Sequence, residues 1–458
     1  MLFSLLAVLL CAGIAAYFVG RQRALSLVTF QRDLHSLPNA YGFWQSIVTI
    51  GAPLLILLGW AIFTPSLFRW WVFKKIGTPV EDLTQPQRDA AWRDIEALSS
   101  GGTANFSDPI REQGAQLYTH LYDIAHTALA FLILVLAIGG FVYGWQKIIP
   151  AFRARHKVEA IVKFFLFASS AIAILTTFGI VLSLIGESLR FFSFVSPMDF
   201  LFGTSWTPQQ MAFRADQVGG NAAFGIIPLI TGTLLITAIA IGVAAPLGLF
   251  SAIYLSDYAS PRLRTYGKPA LEMLAGIPTV VYGFFAALTV APLIRDAGQA
   301  VGLGVSSESA LAAGLVMGIM IVPFVSSLSD DIINAVPQSL RDGSMAIGAT
   351  KSETIRKVVI PAALPGIVSA LLLAISRAIG ETMIVLMAAG LAANLTLNPL
   401  EAVTTFTVQI GTLLTGDQEF DSPKTLAAFA LGLVLFTITL ALNLIALKVV
   451  KRYREQYE

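Results

Sequence analysis

Charge is scarce in this sequence. Asp, Glu, Lys and Arg make up 13% of its 458 residues, and hydrophobic residues make up 56%. A soluble domain carries about 25% charged residues. This balance excludes an ordinary soluble enzyme or binding module. It predicts an all-α, polytopic membrane protein with the lipid bilayer as one of its partners. Cysteine is nearly absent: Cys11 is alone, which excludes an intrachain disulfide and gives no cysteine metal site. Cys11 is expected to face lipid or to pack, because Val8, Leu9 and Leu10 before it are not the small residues that precede a lipid-modified cysteine. No G-x-x-x-x-G-K-[ST] stretch occurs, so the chain cannot cradle ATP itself. No catalytic residue, metal site or cofactor is expected in it. The net charge of +2 says little, and no nucleic-acid partner is expected.

What is present is a series of apolar runs. About 20 apolar residues are needed to cross a bilayer as a helix. Nine runs qualify: 2–20, 46–68, 124–147, 165–187, 226–255, 270–294, 309–327, 364–390 and 425–449. The first has no positive charge before it and no small-residue cleavage site after it, so it reads as a retained span and not a secretory signal. Pro53 and Pro65 interrupt the second. From residue 147 onward, sixteen Lys and Arg residues fall in one set of loops and four in the alternate set. By the positive-inside rule the richer side is cytoplasmic. That places the C-terminus inside and the N-terminus outside, with Arg21 and Arg23 in agreement.

The chain is expected to divide near residue 150. Residues 1–150 hold three spans and a polar external stretch near 70–122, in which 86–98 should form a short surface helix. Residues 151–458 hold six spans. Gly314-Leu-Val-Met-Gly318 is a small-xxx-small pattern that suits ordinary helix packing.

One loop, near 328–363, carries helix signals of its own. Ser339 with Asp342 and Thr350 with Glu353 both fit the S/T-x-x-acid capping device. Gly348 can close the first helix in the left-handed conformation. Glu353 and Lys357 form a favourable i,i+4 pair. Pro361 and Pro365 are expected to break the chain before it re-enters the membrane. Such a helix-turn-helix would suit contact with another protein, or it would rest on lipid headgroups.

The stretch DGSMAIGATKSETIRKVVIPAALPG (342–366) resembles the EAA loop of binding-protein-dependent ABC importer permeases. Asp342-Gly343-Ser344, Gly348 and Val358-Val359-Ile360-Pro361 fall at the family's spacing, although both alanines of the E-A-A are replaced. GIPTVVYGFF (276–285), SRAIGETM (376–383), FLFGTSWTP (200–208) and FGIIPLITGTLLIT (224–237) resemble phosphate-importer permeases of the PstC type. Residues 1–150 resemble the extension of longer PstC forms. The resemblance implies a MetI-like permease core, inward movement of inorganic phosphate and a bacterial cytoplasmic (inner) membrane as the location. It implies that the loop couples to a separate ATPase through Asp342, Gly348, Ala349, Glu353 and Pro361. It also implies partners: a homologous permease (PstA type), a pair of ATP-binding subunits (PstB type) that bind ATP and Mg, an external phosphate-binding protein (PstS type) and a phosphate-signalling regulator.

Arg377 and Glu381 stand inside the 364–390 run, one helical turn apart, about 6 Å along the axis. A charge at the centre of a membrane helix costs roughly 2.5–3.5 kcal/mol. One reading is a structural ion pair that locks helices. The other is a substrate path, with the planar guanidinium fork of Arg377 matching phosphate oxygens and Glu381 keeping the anion from binding too tightly. Rival functions are a permease for another oxyanion, a secondary transporter that binds substrate and proton at this pair, and a membrane-bound regulator of phosphate supply.

Overall fold

The structure, a computed structural model, describes residues 2–76, 85–102, 109–208, 222–415 and 422–454. Arg214, counted above among the four basic residues of the sparser side, and parts of the polar stretch 70–122 lie outside the described residues. Among the described residues the regular secondary structure is helical, apart from one short bridge between extended segments, and stretches such as 389–405 are irregular. Nine of their helices are long and apolar enough to cross a membrane. The chain divides into two compact units, Met1–Ile174 and Leu175–Glu458.

The first unit contains α1 (Leu2–Ser26), α2 (Pro38–Ile76), α3 (Gln85–Ser99), α4 (Pro109–Lys147) and the start of α5 (Ala154–Phe192). Helices α1, α2 and α4 close around Gln45, which is fully buried and donates Nε2 to the Phe141 carbonyl at 2.8 Å. Glycines permit the approach: a Cβ on Gly20 or on Gly144 would stand 2.5 Å from the Gln45 side chain. α2 runs unbroken through Pro53 and Pro65, so the expected interruption of the second span is absent. Buried neighbours and local adjustment let a membrane helix absorb a missing N–H. The surface helix expected over 86–98 is α3, whose Asp94 pairs with Arg111 of α4.

The second unit continues with α6 (Pro197–Phe202), α7 (Ile227–Ile253), α8 (Pro261–Ala275), α9 (Thr279–Phe285), α10 (Ala291–Ala300), α11 (Ala310–Ala335), α12 (Gln338–Ala346), α13 (Lys351–Thr354), α14 (Ile360–Ile379), α15 (Met383–Ala388), α16 (Phe406–Leu413) and α17 (Pro423–Arg454). α11 is the central post, buried along most of its length. Its small residues set the spacing to α7: a Cβ on Gly314 would meet Ile239 at 2.6 Å, and one on Gly318 would meet Val243 at 2.8 Å. The small-xxx-small pattern therefore serves packing within the chain. Ala374 and Ala378 of α14 and Ile384 and Val385 of α15 complete this core.

Three wide turns interrupt the helical ladder, at Tyr254–Tyr258, Ala286–Val290 and Ile355–Val359. In each, the next N–H bonds five residues back: Ala259 to Tyr254, Ala291 to Ala286 and Ile360 to Ile355. Each is followed within three residues by a proline, Pro261, Pro292 or Pro361. A proline cannot donate to the α-helical ladder and crowds the preceding turn, and the wider turn relieves both problems.

Two expectations about the spans are corrected here. The sixth does not run continuously through 270–294, because α8 ends at Ala275 and α9 starts at Thr279 after Gly276-Ile277-Pro278. Pro361 and Pro365 do not break the chain before the eighth span. α13 passes through its wide turn into α14, with Pro361 in the first turn of α14, where no N–H is missed, and Pro365 inside the helix.

Candidate functional site

The eighth apolar run is not one helix. α14 stops at Ile379, and Gly380 follows with its N–H on the Ser376 carbonyl at 3.3 Å. Glu381 lies beyond the helix. Its Oε1 accepts the backbone N–H of Met383 at 3.1 Å and of Ile384 at 3.4 Å, the first donors of α15. Its own carbonyl accepts the Thr407 hydroxyl of α16 at 2.7 Å. A break at membrane depth survives only where its backbone groups are satisfied inside protein. Here a carboxylate and a threonine do this, and a negative charge at a helix start is electrostatically favoured.

Arg377 occupies the last turn of α14, where the dipole's negative end favours a cation. It is exposed on this chain. Its guanidinium carbon lies 5.8 Å from the centre of the Phe324 ring of α11, and it pairs with no carboxylate among the described residues. The expectation that Arg377 and Glu381 share one helix face is therefore corrected. The helix ends between them, and Glu381 turns towards α15 while Arg377 stays open. The residues that support the break were missed. Thr407 and Phe324 are 26 and 53 positions from their partners Glu381 and Arg377, and no local pattern announces either.

The break is held from outside as well. Gln409 of α16 is buried and accepts the Trp206 indole N–H at 2.9 Å, while its Nε2 reaches the Leu391 carbonyl and the Thr404 hydroxyl, each at 3.2 Å. Trp206 pairs with Phe224 in a two-residue bridge, with Thr207 N–H on the Ala223 carbonyl at 2.8 Å. Gly203 and Gly225 touch so closely that a Cβ on Gly203 would stand 2.6 Å from the Gly225 Cα. The FLFGTSWTP and FGIIPLITGTLLIT stretches thus meet each other and α16. At the other break, Tyr282 of α9 donates its hydroxyl to the Leu274 carbonyl at 2.8 Å, which satisfies the end of α8. Gly283 packs against Met387 of α15.

At the far end of α11 stands the loop with its own helices. α12 starts after Pro337 without a side-chain cap, so Ser339 is inside the helix and not its cap. Asp342 is exposed and accepts from Gln338 Nε2 at 3.0 Å. Gly348 has φ +92°, the left-handed end expected for α12, and its N–H reaches the Met345 carbonyl at 3.0 Å. Ala349 N–H reaches the Ser344 carbonyl at 3.2 Å. The Thr350–Glu353 capping box is complete, with Thr350 N–H on Glu353 Oε2 at 2.9 Å. Lys357 Nζ lies 4.0 Å from Glu353. α12 buries none of its residues, and Ile347 beside it is 88% exposed. Leu340 and Met345 are also open. Capping patterns in the sequence carry no signal for these apolar tips.

The loop is anchored by ions. Arg341 Nη1 lies 2.5 Å from Asp257 Oδ1, and Lys268 Nζ lies 2.8 Å from the buried Asp330. The Asp330 carboxylate, as hydrogen-bond partner, holds the Lys268 ammonium above the usual lysine range. Several basic residues counted towards orientation are thus engaged in specific pairs.

Comparison with known proteins agrees along the chain. A family model described as a phosphate ATP-binding cassette transporter matches residues 6–176. One described as a binding-protein-dependent transport system inner membrane component matches residues 244–455. The probable ABC transporter permease protein YqgH of Bacillus subtilis is 35% identical over 245 residues, which is 54% of this chain and 75% of that protein. The phosphate transport system permease protein PstC of Mesorhizobium japonicum is 31% identical over 294 residues, 61% of this chain and 86% of that protein. Among solved structures, an inward-facing MetNI methionine ABC transporter aligns at 19% identity and a TM-score of 0.36, covering 49% of this chain and 94% of that one.

Proposed function

This chain belongs to the family of permease subunits of phosphate ABC transporters, and we propose that Arg377, at the break between α14 and α15, lines the path its anion takes. The chain is the membrane-spanning permease of a phosphate ABC importer, a transport subunit and not itself an enzyme. The observation that carries the site reading is the separation of the two charges. Glu381 is engaged by two backbone N–H groups, and Arg377 is left exposed with no carboxylate. An exposed guanidinium at membrane depth calls for a cavity or partner surface and an anion. Its planar donors suit phosphate oxygens, and among the described residues no carboxylate competes with an anion for them.

In this reading the path runs between this chain and a homologous permease of the PstA type. ATP and Mg are bound by a pair of PstB-type subunits, which dock on α12, Gly348, Ala349, Glu353 and the open tips Met345 and Ile347. A PstS-type binding protein delivers phosphate from outside, and a signalling regulator reads the same complex. The loop and the C-terminus are cytoplasmic, and the N-terminus and the polar stretch near 70–122 are external. Residues 1–150 act as an extension to the transport core.

The test is phosphate uptake by the assembled complex in proteoliposomes, with arsenate, sulfate and molybdate as competitors. ATP-dependent uptake inhibited by arsenate and not by sulfate is expected. Uptake driven by a proton gradient without the ATPase would replace the reading with a secondary transporter.

A further inference from the structure

Asp257 is fixed at a place where three elements converge. It sits in the wide turn that ends the α7 span. Its side chain accepts from Arg341 of α12 at 2.5 Å, with the two side chains 11% and 12% exposed. Its backbone carbonyl accepts the ammonium of Lys351, the first residue of α13, which also lies 5.3 Å from the Tyr258 ring. Both arms of the 338–357 loop are therefore held by one residue. Arg341 reaches onward with Nη2 to the Ile333 carbonyl of α11 at 2.7 Å. The second Asp257 oxygen, Oδ2, is buried without a hydrogen-bond partner among the described residues, and Arg341 is the ion-pair partner of this carboxylate.

The remaining polar contacts tie the same turn to its surroundings. Ser256 donates to Asn334 at 3.0 Å, and Asn334 donates to Asp330 at 2.9 Å. Lys268 and Arg264 of α8 lie 2.8 and 3.8 Å from Asp330. Meanwhile α7 is packed along α11 by glycines, and Asp257 and Arg341 lie outside the apolar clusters that hold the unit together. Asp257 thus adds a polar tie between the loop and the end of the α7 span, beside the apolar cluster that holds Ala252 of α7 with Val336 and Val359 at the two bases of the loop.

We propose that Asp257 is the positioning residue that transmits movement of the 338–357 loop to the α7 span, by gripping Arg341 with its side chain and Lys351 with its carbonyl. This rests on the reading of that loop as the ATPase contact. A buried charge pair broken on one side is costly, because the remaining charge is left uncompensated. A well-formed pair between rigid elements also has a fixed geometry, which a mechanical link requires.

The experiment is the complete importer in proteoliposomes, with phosphate uptake and ATP hydrolysis measured on the same preparation. Asp257→Asn should lower phosphate moved per ATP hydrolysed by roughly tenfold or more, with hydrolysis continuing. Arg341→Gln should do the same, and the exchanged pair D257R/R341D should recover much of the ratio. A purely structural pair would lower the amount of complex and leave the ratio unchanged. A wild-type ratio in assembled Asp257→Asn overturns the proposal. If that variant does not assemble, a wild-type ratio in Arg341→Gln overturns it equally. Failure of the unmodified importer to couple uptake to ATP would instead refute the functional reading beneath it.

Discussion

Glu381 accepts the backbone N–H of Met383 at 3.1 Å, two residues further along the chain. A glutamate that reads in sequence as a costly buried charge is therefore a helix cap. Glu381→Gln keeps an oxygen that can accept both N–H groups, and it should retain most folded protein. Glu381→Leu removes the acceptor and should cost about 1–2 kcal/mol, as lost caps do. Thermal melting of the purified complex compares the two. Equal melting would show that the cap does not hold the break.

Arg377 calls for a different series. Arg377→Gln should nearly abolish phosphate uptake at matched protein level, since a neutral amide cannot offset an anion in a low-dielectric passage. Arg377→Lys should be impaired less, retaining charge without the planar fork. Neither change should alter melting by more than about 0.5 kcal/mol, the usual range for surface positions. Wild-type uptake by Arg377→Gln would remove Arg377 from the path.

Gly348 stands at φ +92° with nothing within 4 Å of where a Cβ would be. Conformation, and not space, is what a substitution meets there. Gly348→Val should cost more than the roughly 1–2 kcal/mol of an ordinary left-handed residue, because β-branching adds to the clash. Gly348→Asn should be nearly silent. Stimulation of the ATPase by transport substrate is the readout, and a fully stimulated Val variant would show that the end of α12 is not in the contact.

Orientation is tested by cysteine labelling in intact cells, with the exposed Cys11 replaced. Ser100→Cys, next to the end of α3, should react with an impermeant reagent added outside. Ile347→Cys, at a position where the native side chain is 88% exposed, should react only after the membrane is opened. The reverse pattern would invert the assignment drawn from the sixteen basic residues of one side.

Much of the architecture was legible because the bilayer imposes it. Apolar length alone located the nine spans, and the Thr350–Glu353 box and the left-handed Gly348 were readable because their partners lie within a few residues. Hydropathy does not register whether a helix continues. It therefore merged α14 with α15 and α8 with α9, although Gly380 and Pro278 stood in the sequence. Proline alone does not mark a break: at Pro361 the first turn of α14 and the wide turn before it absorb the missing N–H, and α2 carries Pro53 and Pro65 inside an unbroken helix. Arg341 and Asp257 are 84 positions apart. Their pairing follows from how α7 and α11 pack, which no local pattern encodes.

The wide turn at Ile355–Val359 has a consequence for phase. It accommodates one residue more than an α-helical turn, so everything after it is rotated by about 100° about the axis. A helical wheel drawn unbroken from Lys351 to Ile379 would therefore put Arg377 on the wrong azimuth. Deleting one residue from that turn would realign the ladder and swing the guanidinium of Arg377 by the same angle away from Phe324, and would turn Ala374 and Ala378 out of the core with it.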